Sequence, residues 1–490
     1  MMHIREEAAR CLFCADAPCS KACKNGDPAR MVRSVRFGNH DLARQWVKDC
    51  SETDLEAAEK ACIHYDHPIR IREIIKQLPE APARELPSLA IDFCGIHCEN
   101  PFFLASSAVS TNYEMVASAF EAGWAGVFYK TICLQEIKEV SPRFDAMHVK
   151  GTGDIYSFRN MEQLSENTPQ EDFDNIQRLK KNYPGKVVIA SIMGKDEEEW
   201  TALAKMAEAA GADAVELNFS CPQMRHAGMG SDVGQNAELV LIYTSCVKHA
   251  VHIPVIPKMT PNITHISQPA MAGFFGGADA ISAINTIKSV TMAPRAEVNG
   301  RRCISGLSGR AVKPIALRFI LEIANSFAMN KNERYGRMAE ISGIGGIESW
   351  YDALEFIQLG CRNVQVCTAV MQYGNRIIDD LKLGLQNYMA EQGITRLEDL
   401  VGEQLPVFAS VTDLDRDSVV YPIVDREVCI GCGRCYTSCR NGGHQAISFG
   451  EDRQPRLNGT KCVGCLLCSL VCPTGAISSS KRVKKRVTAK

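Results

Sequence analysis

The chain has 490 residues, of which 46% are hydrophobic and 23% charged, and its formal net charge is -2; this composition is typical of a globular protein with two or three domains. The near-zero charge gives no general attraction to nucleic acid or to an anionic membrane surface, and no segment has the apolar length of a membrane span. The first residues lack the apolar core of a signal peptide, so a cytoplasmic location is expected.

Cysteine is abundant and unevenly distributed. Of the 22 cysteines, four lie between Cys11 and Cys23 and eight between Cys429 and Cys472. In a secreted chain such groups would indicate disulfides. In a chain without an export signal they indicate bound metal.

Residues 1–85 are predicted to form a helical iron–sulfur segment. Its cysteines lie at short spacings and are Cys11, Cys14, Cys19, Cys23, Cys50 and Cys62. Thiolates grouped this closely can converge on one [4Fe–4S] cluster. Structural zinc, which also takes four thiolates, is the alternative, and plain reduced cysteines fit this density less well.

Residues 86–413 show eight short apolar runs that alternate with helical patterns. The predicted strands are Pro101–Ser106, Ala125–Thr131, Val187–Met193, Asp213–Leu217, Pro254–Met259, Asp279–Ile284, Ala339–Ile344 and Arg362–Thr368. The predicted helices are Tyr113–Ala122, Glu197–Ala210, Ala237–Ala250, His265–Gly276, Lys313–Ser326, Ser349–Gly360 and Met371–Gln392. A long insertion is expected between the second strand and Pro184. Eight such units predict an α/β fold of the closed (β/α)8 type, a TIM barrel, rather than an open doubly wound sheet.

A (β/α)8 barrel carries its chemistry at the carboxyl ends of its strands. Polar residues and glycines occupy most of these ends: Ser106, Ser107, Lys130, Thr131, Gly194, Asn218, Lys258, Asn285, Thr286, Gly345, Gly346, Cys367 and Thr368. The last two strands are where barrels usually bind a phosphate, and Lys130 and Lys258 could neutralise an anionic reduced flavin. A rim ion pair would explain either lysine alone, but both lysines with the phosphate signal favour a flavin site.

At the opposite end of the barrel, Asp92–Cys98 is predicted to be a β-hairpin that plugs the barrel bottom. Cys94 and Cys98 are predicted to be structural.

The stretch Glu216–Pro222 ends the fourth strand and leads into residues 223–235, which are rich in Gly, Met and Ser. Asn218, Ser220 and Cys221 bring an amide, a hydroxyl and a thiol together where the strand stops. An unperturbed thiol has a pKa of about 8.5, so a cysteine here can donate a proton at neutral pH. We therefore predict that substrate is held and protonated here. A small buried hydrophobic cysteine is the alternative, which fits poorly beside Pro222.

Residues 414–490 repeat one cysteine pattern, with spacings of two, two and three residues. The two runs are Cys429, Cys432, Cys435 and Cys439, then Cys462, Cys465, Cys468 and Cys472. This is the spacing of bacterial two-cluster ferredoxins, in which the fourth cysteine of each run ligates the other run's [4Fe–4S] cluster. An α+β ferredoxin-like domain is therefore predicted.

No G-x-G-x-x-G lies between a strand and a helix, so the chain has no evident site for a nicotinamide dinucleotide or FAD. Electrons are therefore expected to pass to or from another protein.

From about residue 88 to its end, the chain resembles the dihydropyrimidine dehydrogenase family, whose bacterial subunit joins an FMN barrel of the dihydroorotate dehydrogenase type to a ferredoxin domain. The resembling stretches are Ser157–Glu162, Glu216–Pro222, Lys258–Asn262, Ala283–Thr286, Ser305–Gly309 and Lys313–Arg318. The resemblance implies a pyrimidine held by Asn160, Glu162, Asn218, Ser220, Asn285 and Thr286. It implies FMN bound by Ser106, Ser107, Lys130, Thr131, Asn160, Lys258, Gly309, Gly345, Gly346, Cys367 and Thr368. Cys221 would be the general acid on a mobile loop.

The first 85 residues resemble the amino-terminal iron–sulfur domain of the long, single-chain form of that enzyme. The resemblance implies one cluster on four cysteines, namely Cys11, Cys14, Cys19 and Cys62. It assigns Cys23 and Cys50 to a second cluster. Here the chain departs from the family, because Ala58 stands where the long form has a cysteine and its glutamine ligand has no clear match.

The hypothesis is an oxidoreductase acting on the C5=C6 bond of uracil or thymine, with hydride exchanged between FMN and C6 and with Cys221 protonating C5. Two carboxyl-terminal clusters, and one further amino-terminal cluster, would relay electrons from an NAD(P)H-oxidising flavoprotein subunit or a ferredoxin, in a homo-oligomer or hetero-oligomer. The alternatives are a dihydroorotate dehydrogenase-like enzyme on another cyclic amide and a non-catalytic electron-transfer scaffold.

Overall fold

The computed structural model describes residues 4–80, 82, 84–149, 155–222, 224, 229–292, 297, 298, 300–329 and 339–485. The chain divides into two compact units, Met1–Leu405 and Pro406–Lys490. The division into segments 1–85, 86–413 and 414–490 stays a prediction. Part of the loop 223–235 that follows Cys221 lies outside the described residues.

The helices and strands are numbered here in chain order. The helices are α1 (Ile4–Ala9), α2 (Pro18–Ala22), α3 (Pro28–Arg36), α4 (His40–Ala43), α5 (Glu52–Lys60), α6 (Ile71–Gln77), α7 (Tyr113–Ala122), α8 (Pro169–Asn182), α9 (Glu197–Ala209), α10 (Ser231–Gly234), α11 (Ala237–Ala250), α12 (Ser267–Phe275), α13 (Lys313–Met329), α14 (Trp350–Gln358), α15 (Thr368–Tyr373), α16 (Ile377–Gln392), α17 (Arg434–Gly442) and α18 (Leu467–Leu470). The strands are β1 (Ile91–Phe93), β2 (Ile96–Cys98), β3 (Phe102–Leu104), β4 (Gly126–Ile132), β5 (Phe144–His148), β6 (Ile155–Asn160), β7 (Val187–Ile192), β8 (Ala214–Asn218), β9 (Val255–Met259), β10 (Ala280–Ala283), β11 (Ile287–Ser289), β12 (Glu297–Val298), β13 (Arg301–Arg302), β14 (Ser305–Ser308), β15 (Glu340–Ile344), β16 (Cys361–Val366), β17 (Ser418–Val419), β18 (Pro422–Val424), β19 (Ile447–Phe449), β20 (Pro455–Leu457), β21 (Ile477–Ser479) and β22 (Val483–Lys484).

Eight parallel strands close into a barrel in the order β3-β4-β7-β8-β9-β10-β15-β16. Strands β3, β4, β7, β8, β9 and β10 are buried along their whole length, as expected for parallel strands covered on both faces. This confirms the predicted TIM barrel, and each predicted barrel strand overlaps an observed one.

The barrel has a helix, α8, that the sequence analysis treated as part of an insertion. Its first turn carries a capping box, because Thr168 accepts from the Glu171 backbone N–H and the Glu171 side chain returns to the Thr168 N–H. Pro169 at the first helical position adds a second start signal. The insertion predicted up to about Pro184 therefore contains a helix that was not predicted, although the local sequence contained the signal.

The last predicted helix, Met371–Gln392, is two helices in the structure. Helix α15 ends at Gly374, whose φ of +79° is a conformation that favours glycine. Helix α16 then starts at Ile377. The break matters because α15 begins in the wall of the barrel mouth.

Two insertions at the barrel mouth pair with each other. Strands β11, β14, β6 and β5 form an antiparallel sheet in that order, with Asn160 opposite both Phe144 and Gly306. This sheet was not predicted from the sequence, because its two halves, β5–β6 and β11–β14, lie more than a hundred residues apart.

At the opposite end of the barrel, β1 and β2 form the predicted hairpin. Cys94 and Gly95 make its turn with positive φ angles of 53° and 77°, as a two-residue hairpin turn of the primed type requires. The Cys94 N–H donates to Glu340 Oε2 at 2.7 Å, at the start of β15. The hairpin therefore lies against the amino-terminal end of the barrel.

Helices α1–α6 have a small core of their own, centred on Met31, Val35, Ile71 and Ile74. They pack on the barrel through its last helix. Arg33 Nε lies 2.6 Å from Asp380 Oδ2 in a buried ion pair.

The second unit consists of two short helices and three two-stranded antiparallel sheets. Its core is made largely of cysteines, including Cys435, Cys439 and Cys468, with Ala446 and Ile477. Across the described residues of the whole chain, helix length and hydropathy nowhere reach what a membrane crossing requires.

Candidate active site and cluster cavities

A cavity of about 1060 Å³ opens at the carboxyl ends of the barrel strands, and we call it the mouth cavity. All but one of the residues predicted for flavin, substrate or proton transfer line it: Ser106, Ser107, Lys130, Thr131, Asn160, Glu162, Asn218, Cys221, Lys258, Asn285, Thr286, Gly309, Gly345, Gly346, Cys367 and Thr368. Residues at the ends of seven of the eight barrel strands, all except β7, and from the insertion sheet therefore converge on one space.

Ser220 is the one predicted residue outside the lining. It is fully buried, and its Oγ donates to Asn218 Oδ1 at 2.7 Å and accepts from Asn285 Nδ2 at 2.9 Å. Ser220 thus connects two amides of the cavity wall. The Asn285 Oδ1 atom also accepts from the Thr286 N–H at 2.7 Å, so both amides are held in fixed orientations.

The insertion sheet brings Asn160 and Glu162 over the mouth. Gly306 lies opposite Asn160 in this sheet, and a Cβ atom there would be 2.3 Å from Thr286 Oγ1. Only glycine allows the sheet to approach this closely. The contact brings Asn160, Glu162 and Thr286, which are distant in sequence, to one cavity.

Each lysine of the mouth cavity is paired with a carboxylate. Lys130 Nζ lies 3.0 Å from Glu162 Oε1, and Lys258 Nζ lies 3.3 Å from Glu216 Oε1. Both lysines are buried, and Glu216 is completely so. Buried charges are stable only when paired, so these contacts set the local charge of the site.

Glu216 was not among the residues predicted for the site. The signal was present, because a carboxylate interrupts the apolar run Ala214-Val215-Glu216-Leu217 of a buried strand. A charged residue at such a position is rarely buried without a partner.

The mouth cavity fits an FMN cofactor. Gly309, Gly345 and Gly346 have φ angles of +87°, +131° and +78°, and a Cβ on Gly346 would lie 2.9 Å from the Gly309 carbonyl oxygen. Glycine at these positions allows the ends of β14 and β15 to approach each other closely in the cavity wall. Among the described residues, Gln365 Oε1, which is buried in the cavity wall, has no hydrogen-bond partner, and a bound ligand with an N–H donor would satisfy it.

Cys221 stands at the entrance to the loop above the cavity. Its carbonyl oxygen accepts from the Ser231 N–H at 3.0 Å, and a Cβ on Gly230 would lie 2.4 Å from that oxygen. Gly230 therefore allows the chain to return over Cys221. Burial raises the pKa of the Cys367 thiol in the cavity wall. It also raises the pKa of Cys133, which lies outside the lining, to about 11.

The carboxyl-terminal cysteines line two separate cavities. The first cluster cavity is lined by Cys429, Cys432, Cys435 and Cys472, and the second by Cys439, Cys462, Cys465 and Cys468. The fourth cysteine of each run thus lies with the first three of the other run, as the ferredoxin spacing predicts. Gly431, Gly433 and Gly464 next to these cysteines all have positive φ.

Four amino-terminal cysteines share a third cavity. Cys11, Cys14, Cys19 and Cys62 line this N-terminal cavity, together with apolar residues such as Val32 and Ile71. Cys23 does not line it; its Sγ lies 2.7 Å from Cys50 Sγ. The four-residue set implied by the resemblance is therefore brought together, and Cys23 and Cys50 form a separate pair.

The thiols of these cavities are not arranged around a single ion. Within the described part of the chain, no three His, Cys, Asp or Glu side chains converge closely enough to hold one metal ion.

The barrel, its mouth cavity and the paired cysteine cavities define an iron–sulfur oxidoreductase built on a flavin-type TIM barrel. The chain belongs to the dihydroorotate dehydrogenase family, whose family model matches residues 88–389. A model of the 4Fe-4S dicluster domain matches residues 422–479.

Three known dehydrogenases are similar to this chain over most of its length. The NAD-dependent dihydropyrimidine dehydrogenase subunit PreA of Escherichia coli K12 is 49% identical over 396 residues, covering 79% of this chain and 94% of that protein. The chloroplastic dihydropyrimidine dehydrogenase (NADP(+)) of Arabidopsis thaliana is 37% identical, covering 68% and 80%. The catalytic subunit of dihydroorotate dehydrogenase B (NAD(+)) of Pyrococcus abyssi is 33% identical, covering 65% and 100%.

The exchange of fourth cysteines between the two runs can be tested with double variants. Cys432→Ala/Cys472→Ala removes two ligands of the first cluster cavity only, so about half of the carboxyl-terminal cluster iron should remain. Cys465→Ala/Cys472→Ala removes one ligand from each cavity, so both clusters should be lost. Iron and acid-labile sulfide of the anaerobically purified protein measure this. If the first variant lost both clusters and the second only one, each run would bind its own cluster and the assignment would be wrong.

Proposed function

We propose that this protein reduces the C5=C6 bond of a neutral pyrimidine such as uracil or thymine, or catalyses the reverse reaction, as a dihydropyrimidine dehydrogenase-type enzyme. FMN in the mouth cavity, [4Fe–4S] clusters and a partner that oxidises NAD(P)H complete the system. The similarity to PreA and to the plant dihydropyrimidine dehydrogenase supports this proposal. The observation that carries it is the Glu162–Lys130 pair in the wall of a cavity that also presents three amides.

The polar groups of the mouth cavity match an uncharged ring with alternating carbonyl and N–H groups. Asn160, Asn218 and Asn285 line the cavity, and amide side chains can donate to carbonyls and accept from N–H groups. Glu162 as a carboxylate can only accept, so it selects a ring N–H and fixes the orientation of the ring. Ser220 holds Asn218 and Asn285 in position from behind.

The charge of the cavity wall favours a neutral ring over orotate. An orotate carboxylate needs a cation or backbone N–H groups as partners. Both cavity lysines already face a carboxylate, Lys130 at 3.0 Å from Glu162 and Lys258 at 3.3 Å from Glu216. A carboxylate substrate would meet Glu162 in a partly desolvated space, where like charges are costly.

Cys221 is the proposed general acid. It lines the cavity at the start of a loop, and its thiol can give a proton to C5 on the ring face opposite the flavin. A bound FMN supplies the two electrons of the reduction. A non-catalytic scaffold would not need a thiol, three amides and two paired lysines to converge on one cavity, so the enzymatic interpretation is preferred.

The proposed electron relay uses the two carboxyl-terminal clusters and one further [4Fe–4S] cluster in the N-terminal cavity. Cys11, Cys14, Cys19 and Cys62 are its proposed ligands, because they line one cavity. Cys23 as a ligand of a second cluster stays a prediction. PreA and the dihydroorotate dehydrogenase B protein are both named as subunits, which supports assembly with a partner. The partner would be an NAD(P)H-oxidising flavoprotein subunit or a ferredoxin, in the cytoplasm.

Replacing the general acid should stop the chemistry without emptying the site. Cys221→Ala is expected to lower kcat for uracil reduction by about 10²–10⁴-fold, the usual contribution of a positioned proton donor, with FMN and iron content unchanged. Cys133→Ala removes a nearby buried thiol that does not line the cavity, and its kcat should stay near that of the wild type. Stopped-flow assays under anaerobic conditions measure both. Turnover of Cys221→Ala at the wild-type rate would exclude this role.

Removing the charge of Glu162 should shift substrate preference toward anions. Glu162→Gln keeps an acceptor for a ring N–H but leaves Lys130 without its partner. The ratio of kcat/KM for uracil to that for orotate should therefore fall by about tenfold or more. Glu199→Gln is the matched control, since Glu199 pairs with Lys195 at 2.7 Å and does not line the cavity. An unchanged ratio in an FMN-loaded Glu162→Gln protein would contradict the argument for a neutral substrate.

The amino-terminal cluster can be tested by comparing two buried or half-buried cysteines of the same segment. Cys62→Ala should lose about a third of the cluster iron, because it removes one of four ligands. Cys23→Ala should retain the cluster of the N-terminal cavity, because Cys23 does not line that cavity. Iron analysis with cryogenic electron paramagnetic resonance measures both. Full iron content in Cys62→Ala would exclude the proposed cluster. Loss of iron in Cys23→Ala would show that Cys23 is also a cluster ligand.

A further inference from the structure

A single hydrogen-bond network connects all eight strands inside the barrel. It takes one side chain from each strand or strand end: Ser106, Thr131, Ser191, Glu216, Lys258, Ser282, Ser342 and Gln365. Thr131 Oγ1 lies 3.1 Å from Ser106 Oγ and 2.9 Å from Ser191 Oγ. Gln365 Nε2 donates to Ser282 Oγ at 3.0 Å and to Ser342 Oγ at 2.8 Å. The two halves of the network meet at Glu216.

Glu216 is completely buried, and its two oxygens have different partners. Oε1 accepts from Ser191 Oγ at 2.9 Å and from Lys258 Nζ at 3.3 Å, and Oε2 accepts from Ser282 Oγ at 2.9 Å. Because Ser282 accepts from Gln365, its own hydroxyl hydrogen is free for the carboxylate. Three donors on one carboxylate are what keeps a buried negative charge stable.

Lys258 connects this charge to the mouth cavity. Its side chain is buried and lines the cavity, while Glu216 lies behind it and does not. The field that the cavity experiences from Lys258 is therefore that of an ion pair and not that of an isolated cation. In a low-dielectric interior this difference is large.

We propose that Glu216 is a positioning residue that sets the electron affinity of the flavin site by fixing and partly cancelling the charge of Lys258. The proposal rests on FMN binding in the mouth cavity, as proposed above. A positive charge at the cavity wall stabilises the reduced, more negative form of a flavin relative to its oxidised form. Glu216 opposes this, so it keeps the reduced cofactor a strong enough reductant for a ring double bond.

A purely structural role would be sensitive to shape, whereas the proposed role is sensitive to charge. Glu216→Gln keeps the shape of the side chain and removes its charge. Glu216→Asp keeps the charge and shortens the side chain by one methylene. The two substitutions therefore separate the explanations.

The experiment is a spectroelectrochemical titration of the FMN midpoint potential in the purified protein without substrate. Glu216→Gln should shift the FMN midpoint potential to more positive values. At a fixed applied potential, the ratio of reduced to oxidised flavin should rise by roughly tenfold or more. Glu216→Asp should lie closer to the wild type than Glu216→Gln does. Lys258→Met, which leaves Glu216 uncompensated, should shift the potential in the opposite direction.

The matched control is Asp172→Asn. Asp172 is another completely buried carboxylate, which accepts from Tyr129 Oη at 3.0 Å and Asn167 Nδ2 at 2.8 Å, and it does not line the cavity. The FMN midpoint potential of Asp172→Asn should equal that of the wild type. A potential that is unchanged in Glu216→Gln, or disturbed more in Glu216→Asp than in Glu216→Gln, would overturn the proposal.

The test remains decisive if one variant fails to fold, and it separates the role of Glu216 from the proposed function. If Glu216→Gln does not fold, Glu216→Asp and Lys258→Met still test the sign and the dependence on charge, and an unshifted or more positive potential in Lys258→Met overturns the proposal. The measurement needs bound FMN but no pyrimidine turnover. A protein that binds no FMN would refute the proposed function, whereas one that binds FMN and reduces uracil with unshifted variants would refute only the role of Glu216.

Discussion

The buried contact between Glu216 and Lys258 is the constraint around which the first unit is organised. Burying a carboxylate at the centre of a barrel is unfavourable unless donors surround it, and here the donors come from strands β7, β9 and β10. The same requirement fixes the register of the strands, because each hydroxyl must face inward at one height. The polar layer therefore positions the cavity wall above it, including Asn218, which donates to Thr131 Oγ1 at 2.9 Å.

Charge balance in the mouth cavity connects this layer to substrate choice. Two lysines and two carboxylates form two pairs, one deep and one near the insertion sheet. A site built this way offers hydrogen bonds in fixed directions with little net charge, which suits a polar but uncharged ring. In the proposed function, this pairing of both lysines is what favours a neutral ring over a substrate that carries a carboxylate.

The sequence predicted the barrel and most of the mouth cavity because strand ends of a (β/α)8 barrel meet by construction. Thirteen of the sixteen predicted residues that line the cavity lie at or just after the end of a barrel strand, whereas Asn160, Glu162 and Gly309 were implied only by the family resemblance. Glu216 was not assigned, since its partners Ser191 and Ser282 lie on other strands and only the closed barrel brings them together. The insertion sheet was missed for the same reason, whereas helix α8 was missed although Thr168 and Glu171 form a local capping box. Local signals and barrel symmetry were predictable; side-chain pairing across strands was not.

The amino-terminal segment is built as part of the barrel unit rather than as an appendage. Arg376 donates to the carbonyl oxygens of Phe13 and Cys14, and the Phe13 ring meets the edge of Tyr373 at 5.7 Å between centroids. Tyr373 ends helix α15, and Thr368 at the start of that helix lines the mouth cavity. A helix of six residues is about 9 Å long. One short helix therefore supports the cysteine-bearing loop at one end and the cavity wall at the other, which explains why these segments form one compact unit.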